Sequence, residues 1–285
     1  MVISVASGKG GTGKTTIAVS LALSIYHSVY IDCDVEEPNG HIFLEPVIFL
    51  RKSVAKKLPS IDFNKCNYCG RCSELCEFNA MIVLKSDVMI FEEMCHGCGV
   101  CSYFCPEHAI EEIEKNIGEI RNGYSKSGSI DFVDGILNIG EMSASRLITH
   151  VRKEMLPDRI NIIDAPPGTS CSMVAAVKGA DYCILVTEST PFGLNDLKLA
   201  VHVVRSLGVP FGVVINKYDD NFPSLNDYCL SECIPILLTI PFDRTIAEYY
   251  SRGIPPVTVI PQLKQRFHQL STKIRSAVQN TKVLQ

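Results

Sequence analysis

Eight cysteines fall between Cys66 and Cys105 in two runs of the form Cys-x2-Cys-x2-Cys-x3-Cys. The first holds Cys66, Cys69, Cys72 and Cys76, the second Cys95, Cys98, Cys101 and Cys105. A constant offset of 29 residues relates them, and it also carries Gly70 onto Gly99 and Ala80 onto Ala109. The tight x2 spacing wraps three thiolates around one face of an iron–sulfur cubane, and in the two-cluster arrangement the fourth cysteine of each run crosses to the other cluster. By that rule Cys66, Cys69, Cys72 and Cys105 hold one 4Fe–4S cluster, and Cys95, Cys98, Cys101 and Cys76 hold the second. Zinc knuckles and ribbons use ligand pairs separated by a long loop, which this spacing lacks.

A second constellation lies near the amino end. Gly8, Lys9, Gly10, Gly11, Thr12, Gly13, Lys14 and Thr15 fit G-x-x-x-x-G-K-T, with Thr16 following directly. In such a loop the glycines let backbone N–H groups turn inward around phosphate oxygens, and the following helix N-terminus adds partial positive charge. Lys14 is expected on the β- and γ-phosphates and the Thr15 hydroxyl on Mg²⁺. Lys9 is an additional cation inside the loop. Further along, Asn216-Lys217-Tyr218-Asp219 spells N-K-x-D, the pattern by which many GTPases bind guanine, so the base preference is open at this point.

The elements that must position these groups follow from hydrophobic runs. Val2 to Ala6 is a short apolar strand entering the glycine-rich loop, and Ile17, Leu21 and Ile25 recur at helical spacing after it. Val29-Tyr30-Ile31 ends at Asp32 and Asp34. Ile160 to Ile163 ends at Asp164, Cys183 to Val186 near Thr187 and Glu188, and Val213 to Ile215 at Asn216. Short apolar strands alternating with helical patterns predict an α/β fold, a mostly parallel sheet covered by helices on both faces. Polar residues at the carboxyl ends of its strands then line the site.

Between about Lys57 and Lys115 this grammar breaks. Residues 58–115 carry 4 basic and 10 acidic side chains, whereas the whole chain has a net charge of −4. We expect an inserted small α+β module of bacterial ferredoxin type at 58–115, with the P-loop domain formed by 1–57 and 116–285. A module this small holds little apolar core, so its clusters must supply much of its folding energy. Residues 116–142 are expected to re-enter the main sheet or cover it.

Composition narrows the classes. With 285 residues, 46% hydrophobic and 20% charged, the chain is no disordered segment, and its net charge does not suit a broad nucleic-acid footprint. No apolar run approaches the roughly 18–20 residues needed to cross a bilayer. The opening apolar run meets Gly8 and Lys9 too early for a signal peptide, so a cytoplasmic setting is expected. In a reducing compartment, 13 cysteines clustered in this way indicate metal ligation rather than disulfides.

The string GKGGTGKTT resembles the deviant Walker A of the MinD/ParA/Mrp ATPases and of the nitrogenase iron protein. That resemblance implies that Lys9 reaches across a homodimer to the partner's nucleotide. It implies that Asp34, in IDCDVEEPN, is the switch I aspartate orienting the attacking water. Asp164, in IIDAPPGT, is similar to the switch II aspartate that acts on Mg²⁺ through its water shell. Pro241, Phe242 and Asp243 resemble the loop flanking the base, and Asn216, followed by Lys217, is the family's base contact, which implies ATP. A narrower likeness, to MinD-type ATPases carrying an inserted ferredoxin domain, spans essentially the whole chain. It implies nucleotide-driven dimer switching coupled to electron transfer to a redox or iron–sulfur partner protein.

Two alternatives stand beside it. A cluster carrier of the Mrp type presents a Cys-x2-Cys pair on its ATPase domain, and none occurs here outside the insert. A MinD/ParA-like positioning switch would find support in a membrane-binding terminal helix. Leu263, Phe267, Leu270, Ile274 and Val278 share one face there, which we expect to dock on the sheet instead. Among the other cysteines, Cys33 and Cys183 are expected in the core, and Cys229 and Cys233 without a metal role. Cys171 resembles in position the cluster ligand of the nitrogenase iron protein, but is expected to pack beneath switch II.

Overall fold

The computed structural model describes residues 1–283. From the amino end run β1 (Val2–Ala6), α1 (Lys14–Leu23), β2 (Val29–Asp32), α2 (Gly40–Leu44) and the long strand β3 (Val47–Ile61). The cysteine-rich segment contains α3 (Arg71–Glu74), β4 (Met81–Val83), β5 (Val88–Ile90) and α4 (Val100–Tyr103). The chain returns along β6 (Ile110–Tyr124) and β7 (Asp131–Leu137), then α5 (Ala144–Val151), β8 (Asn161–Asp164), α6 (Cys171–Val177) and β9 (Tyr182–Glu188). It closes with α7 (Pro191–Ser206), β10 (Phe211–Tyr218), α8 (Ser224–Ser231), β11 (Ile236–Pro241), α9 (Arg244–Ser251), α10 (Pro256–Val259) and α11 (Pro261–Val283).

Nine strands form one sheet in the order β11-β10-β9-β1-β8-β2-β7-β6-β3. Pairing is parallel from β11 to β7 and antiparallel for β7 with β6 and β6 with β3. The central strands are apolar on both faces because helices cover both. Alternate side chains of β1 sort into two layers: Ile3 and Val5 pack with Ile17, Leu21 and Phe132, while Ala6 packs with Leu147, Val177 and Leu185. α1, α10 and α11 cover the first face, and α5 to α8 the second.

The amphipathic end of the chain belongs to the first layer. Leu263, Phe267, Leu270, Ile274 and Val278 are buried there, and full burial of Phe267 contributes roughly 1.5–3 kcal/mol. Among the described residues, no helix is long and apolar enough to cross a membrane. Cys33, Cys183 and Cys229 lie in the core and Cys233 is exposed. Cys171 departs from expectation: it begins α6 and is exposed, because Met173 and Ala176 take the inward positions of that helix.

The β3–β6 ladder runs from Val47 opposite Tyr124 to Ile61 opposite Ile110, but β7 covers β6 only from Gly118 onward. Residues 110–117 therefore project past the carboxyl end of β7 by roughly 25 Å, at about 3.4 Å per residue. The arm leaves the sheet on the edge where the P-loop sits. The expected boundaries at 58 and 115 fall within the paired strands, at Leu58 opposite Ile113 and Lys56 opposite Lys115. Composition changes there, while the ladder is made of backbone and continues to Ile61. Residues 116–142 enter the sheet as the rest of β6 and as β7.

Beyond the arm, the sequence repeat has a structural counterpart. Gly70 (φ 81°) and Gly99 (φ 76°) cap α3 and α4 in the left-handed region that glycine tolerates. The apolar centre is small: Met81, Val88 and Ile110 are buried, and Cys66, Cys72, Cys101 and Cys105 pack against them.

Candidate functional site

Residues 7–13 link β1 to α1, which opens with Lys14, Thr15 and Thr16, and the shape of the loop depends on glycine at named points. Gly11 and Gly13 have φ of 78° and 87°. At Gly8 a Cβ would stand 2.1 Å from the carbonyl oxygen of Asp196, so α7 can approach the loop only with glycine there. A cleft of about 500 Å³ opens above it, lined by Gly10, Gly11, Thr12, Gly13, Lys14, Thr15, Thr16, Asp34, Asn216, Lys217, Pro241, Phe242 and Asp243. Its volume is in the range of small-molecule sites.

At its floor the Lys14 ammonium lies 2.5 Å from Oδ1 of Asp164 and 3.8 Å from Oδ2 of Asp34. Burial opposes the Lys14 charge, but Asp164 and Asp34 outweigh it and hold the pKa above its ordinary value. Asp32, fully buried beside them, is pushed well above the usual carboxylate range by burial and by Asp164. Asp32 is marked in the sequence by its place at the end of β2, whereas Tyr30, inside the apolar strand, carries no such mark.

Burial, against the pull of Lys14, pushes Asp34 up to about 6. Two pH effects follow. A water-orienting carboxylate must be ionised, so hydrolysis should decline below pH about 6, tenfold per unit in the limit. Stability moves the other way. The folded pKa exceeds the unfolded one (about 3.9), so the contribution of this carboxyl is fully present below about pH 4 and lost as pH rises through about 6. Chemical unfolding of the nucleotide-free chain at pH 4.5 to 7 should show that slope, and Asp34→Asn should flatten it.

Lys9 lies outside the cleft lining. Its ammonium is 2.6 Å from Oε1 of Glu188 on the same chain, and Oε2 of Glu188 is 3.1 Å from Lys217. Burial of Glu188 is overcome by hydrogen bonds from Lys9 and Lys217, which hold its carboxyl below the ordinary range. In the single chain the loop cation is thus folded back. Glu188, at the end of β9, is a partner that no local motif announced.

Asn216 donates from Nδ2 to the Thr12 carbonyl at 2.9 Å, and Lys217 reaches the Gly11 carbonyl at 3.4 Å. Asp243 accepts from the Thr245 N–H and caps α9, fixing the Pro241–Phe242 turn at the cleft. Asp219, the last residue of N-K-x-D, accepts from the Asn221 N–H and Nδ2 and does not line the cleft. The loop suits a triphosphate: a buried cation, inward backbone, and a Thr12 hydroxyl buried without a hydrogen-bond partner.

The cysteines of the arm line two further pockets. Cys66, Cys69, Cys72 and Cys105 share one, with Tyr68, Val83 and Ile110. Cys76, Cys95, Cys98 and Cys101 share the other, beside Phe78, His96 and Pro59. Each pocket thus takes three thiols from one run and the fourth from the other. Backbone N–H groups of Ala80, Ala109 and Gly97 donate to the sulfurs of Cys76, Cys105 and Cys95 at 3.3–3.4 Å. Such donors suit thiolate. Burial pushes Cys101 up to about 11, so metal binding there must displace a proton. Among the described residues no three His, Cys, Asp or Glu side chains converge as a single ion requires, while a cubane separates its ligands by its own width.

A parallel sheet with a G-x-x-x-x-G-K-T loop at the end of its first strand defines the P-loop class of nucleotide-binding proteins. Within it, the chain belongs to the CobQ/CobB/MinD/ParA nucleotide binding domain family, whose model matches residues 3–257. It is 32% identical over 260 residues to the uncharacterized protein MJ0579 of Methanocaldococcus jannaschii, covering 89% of this chain and 90% of the relative. Among solved structures it is similar to the cell division ATPase MinD of Pyrococcus furiosus (TM-score 0.59, 20% identity, 97% of this chain and 98% of that one). It is similar also to the septum site-determining protein MinD of Pyrococcus horikoshii, complexed with Mg-ADP (TM-score 0.57, 20% identity, 96% and 95% covered). At these identities the two structures speak for the fold alone.

Proposed function

We propose that the chain is a dimer-forming ATPase that couples nucleotide binding and hydrolysis to electron transfer through two 4Fe–4S clusters to a partner protein. One observation carries the cluster half: two four-cysteine pockets, each completed by a cysteine from the other run. Cys66, Cys69, Cys72 and Cys105 would hold one cluster, and Cys76, Cys95, Cys98 and Cys101 the other. Bound there, the clusters supply one-electron chemistry. The protein supplies thiolates, N–H donors to sulfur and a site on an arm away from the main core.

In the nucleotide half, backbone N–H groups of residues 10–15 would hold phosphate oxygens, Lys14 the β- and γ-phosphates, and Thr15 the magnesium. A magnesium ion held there would supply neutralisation of charge on the phosphoryl oxygens. Asp34, at the cleft wall, would orient the attacking water, and Asp164 would act on the metal's waters. Asp219 is engaged by Asn221 and does not line the cleft, which supports ATP over GTP. Lys9 would leave Glu188 for the partner's nucleotide. That partly exposed pair contributes roughly 1 kcal/mol or less, a small barrier to the exchange.

A positioning switch of MinD type is the second reading, favoured by the whole-chain likeness in fold to MinD structures. It shares the cleft and the dimer and needs no iron. Metal content separates the two: anaerobically prepared protein should hold about eight irons and eight sulfides per chain. Cys105→Ser should then damage the cluster of Cys66, Cys69 and Cys72 and spare the other. Stoichiometric zinc without iron would sink the electron-transfer proposal.

A further inference from the structure

The Tyr30 hydroxyl is buried under the nucleotide cleft among carboxylates. Tyr30 lies in the middle of β2 with no exposed surface. Its Oη is 3.0 Å from Oδ2 of Asp164 and 3.4 Å from Oδ2 of Asp32. The other oxygen of Asp164, Oδ1, receives Lys14 at 2.5 Å. Among the described residues, Lys14 and Tyr30 are the side chains that donate to Asp164.

The ring is fixed by packing. It stacks on Phe132, with centroids 6.0 Å apart and planes 17° from parallel. Gly40, the first residue of α2, meets its edge so closely that a Cβ there would stand 2.3 Å from Cε1. Gly40 also donates its N–H to Oδ2 of Asp32 at 2.9 Å, and Asp34 donates its N–H to Oδ1 at 3.1 Å. The phenol therefore touches the last residues of β2 and β8 and the segment that follows β2. A buried strand position of this sheet is served as well by Phe or Leu, and burying a hydroxyl is costly unless it is paired. Here its partners are the carboxylates next to the phosphate lysine.

Resting on the ATPase reading above, we propose that Tyr30 is a positioning residue for Asp164. Its hydroxyl holds Oδ2 when Lys14 turns to the phosphates, leaving Oδ1 free for the metal's water shell. Through Asp32 and Gly40 it makes residues 34–40 and Asp164 respond together. A carboxylate held by one donor rotates about its Cβ–Cγ bond; one held from both sides is fixed when one donor departs and the other stays.

Tyr30→Phe keeps the ring, the Phe132 contact and the Gly40 contact, and removes only the hydroxyl. Mn²⁺ is the probe, its binding to the ADP complex followed by the EPR signal of the free ion. Metal-free ADP affinity should stay within about twofold of the parental protein. Mn²⁺ affinity of the ADP complex should fall about tenfold, the size expected for losing a hydrogen bond to a charged group. kcat should fall by at least the same factor with KM for ATP little changed. Gly40→Ala, whose Cβ would stand 2.4 Å from Oη and so displaces the hydroxyl together with the ring edge, gives an independent variant and should weaken Mn²⁺ binding in the same sense. Parental Mn²⁺ affinity and kcat in folded Tyr30→Phe would overturn the inference. So would an equal loss of metal-free ADP affinity, which marks a defect of packing. A parental chain that binds neither ATP nor ADP removes the ATPase reading itself, and the inference with it.

Discussion

Asp34→Ala should bind MgATP and lose hydrolysis by about 100-fold or more, the scale of a lost acid–base or water-orienting group. The carboxylate lines the cleft and faces Lys14 at 3.8 Å, so its removal leaves the phosphate loop intact. Lys14→Ala should do the opposite and abolish binding. It also strips the counterion from Asp164, whose side chain is fully buried, and breaking such a pair costs roughly 3–5 kcal/mol. The Lys14 variant should therefore unfold earlier than the Asp34 variant. Phosphate release, equilibrium binding and thermal unfolding on the same preparations separate the cases. Hydrolysis at the parental rate in Asp34→Ala would move the water-orienting role elsewhere, with Glu37 and Asp243 the other acidic residues lining the cleft.

The second large effect concerns coupling, for which the fold offers a short route. Val35, next to Asp34, accepts from the Leu137 N–H at 2.8 Å, where β7 ends. Glu141, just beyond, lies 3.0 Å from Lys56 and 2.8 Å from Lys115, the paired residues of the arm. Lys56 is fully buried and donates to the Glu92 carbonyl in the cysteine module at 2.8 Å, and Lys115 meets the Glu92 carboxylate at 3.0 Å. On α5, Arg146 donates to the carbonyl of His96, between Cys95 and Cys98, at 2.9 Å. A displacement of residues 34–35 on γ-phosphate binding thus has hydrogen-bonded neighbours all the way to a cysteine pocket.

Glu141→Gln should keep hydrolysis and dimer formation and lose the nucleotide-dependent change at the clusters. Lys9→Ala should bind nucleotide through Lys14, fail to dimerise with MgATP, and lose the same cluster response. Sedimentation and chelator accessibility of iron, each with MgATP and MgADP, read these outcomes. A full cluster response in both variants would contradict the route.

Much of this arrangement is legible in the sequence where the groups are close along the chain. The phosphate loop, its flanking strand and helix, and the aspartates ending β2 and β8 are announced by contiguous residues. The grouping of Cys76 with the second run and Cys105 with the first is implied by spacing. What escapes is tertiary. The arm hides because β3 and β6 pair through backbone across 48 intervening positions that include the whole cysteine segment, and no side-chain pattern marks the continuation to Ile61. The Lys9–Glu188 pair joins the ends of β1 and β9, neighbours in the sheet but far apart in sequence. Tyr30 reads as one more apolar strand residue until Asp164 is placed beside it. The exposure of Cys171 escapes because the rotation of a seven-residue helix cannot be read from so short a period.

Coupling between nucleotide and clusters is the central claim, and EPR of the reduced, anaerobically prepared protein tests it most directly. Spectra would be recorded without nucleotide, with MgADP, and with MgATP trapped by Asp34→Ala. The account predicts signals of two 4Fe–4S centres per chain, with line shape or potential changed by MgATP and not by MgADP. Cluster signals identical in all three states would contradict ATP-gated electron transfer, and the absence of any iron–sulfur signal would remove the clusters altogether.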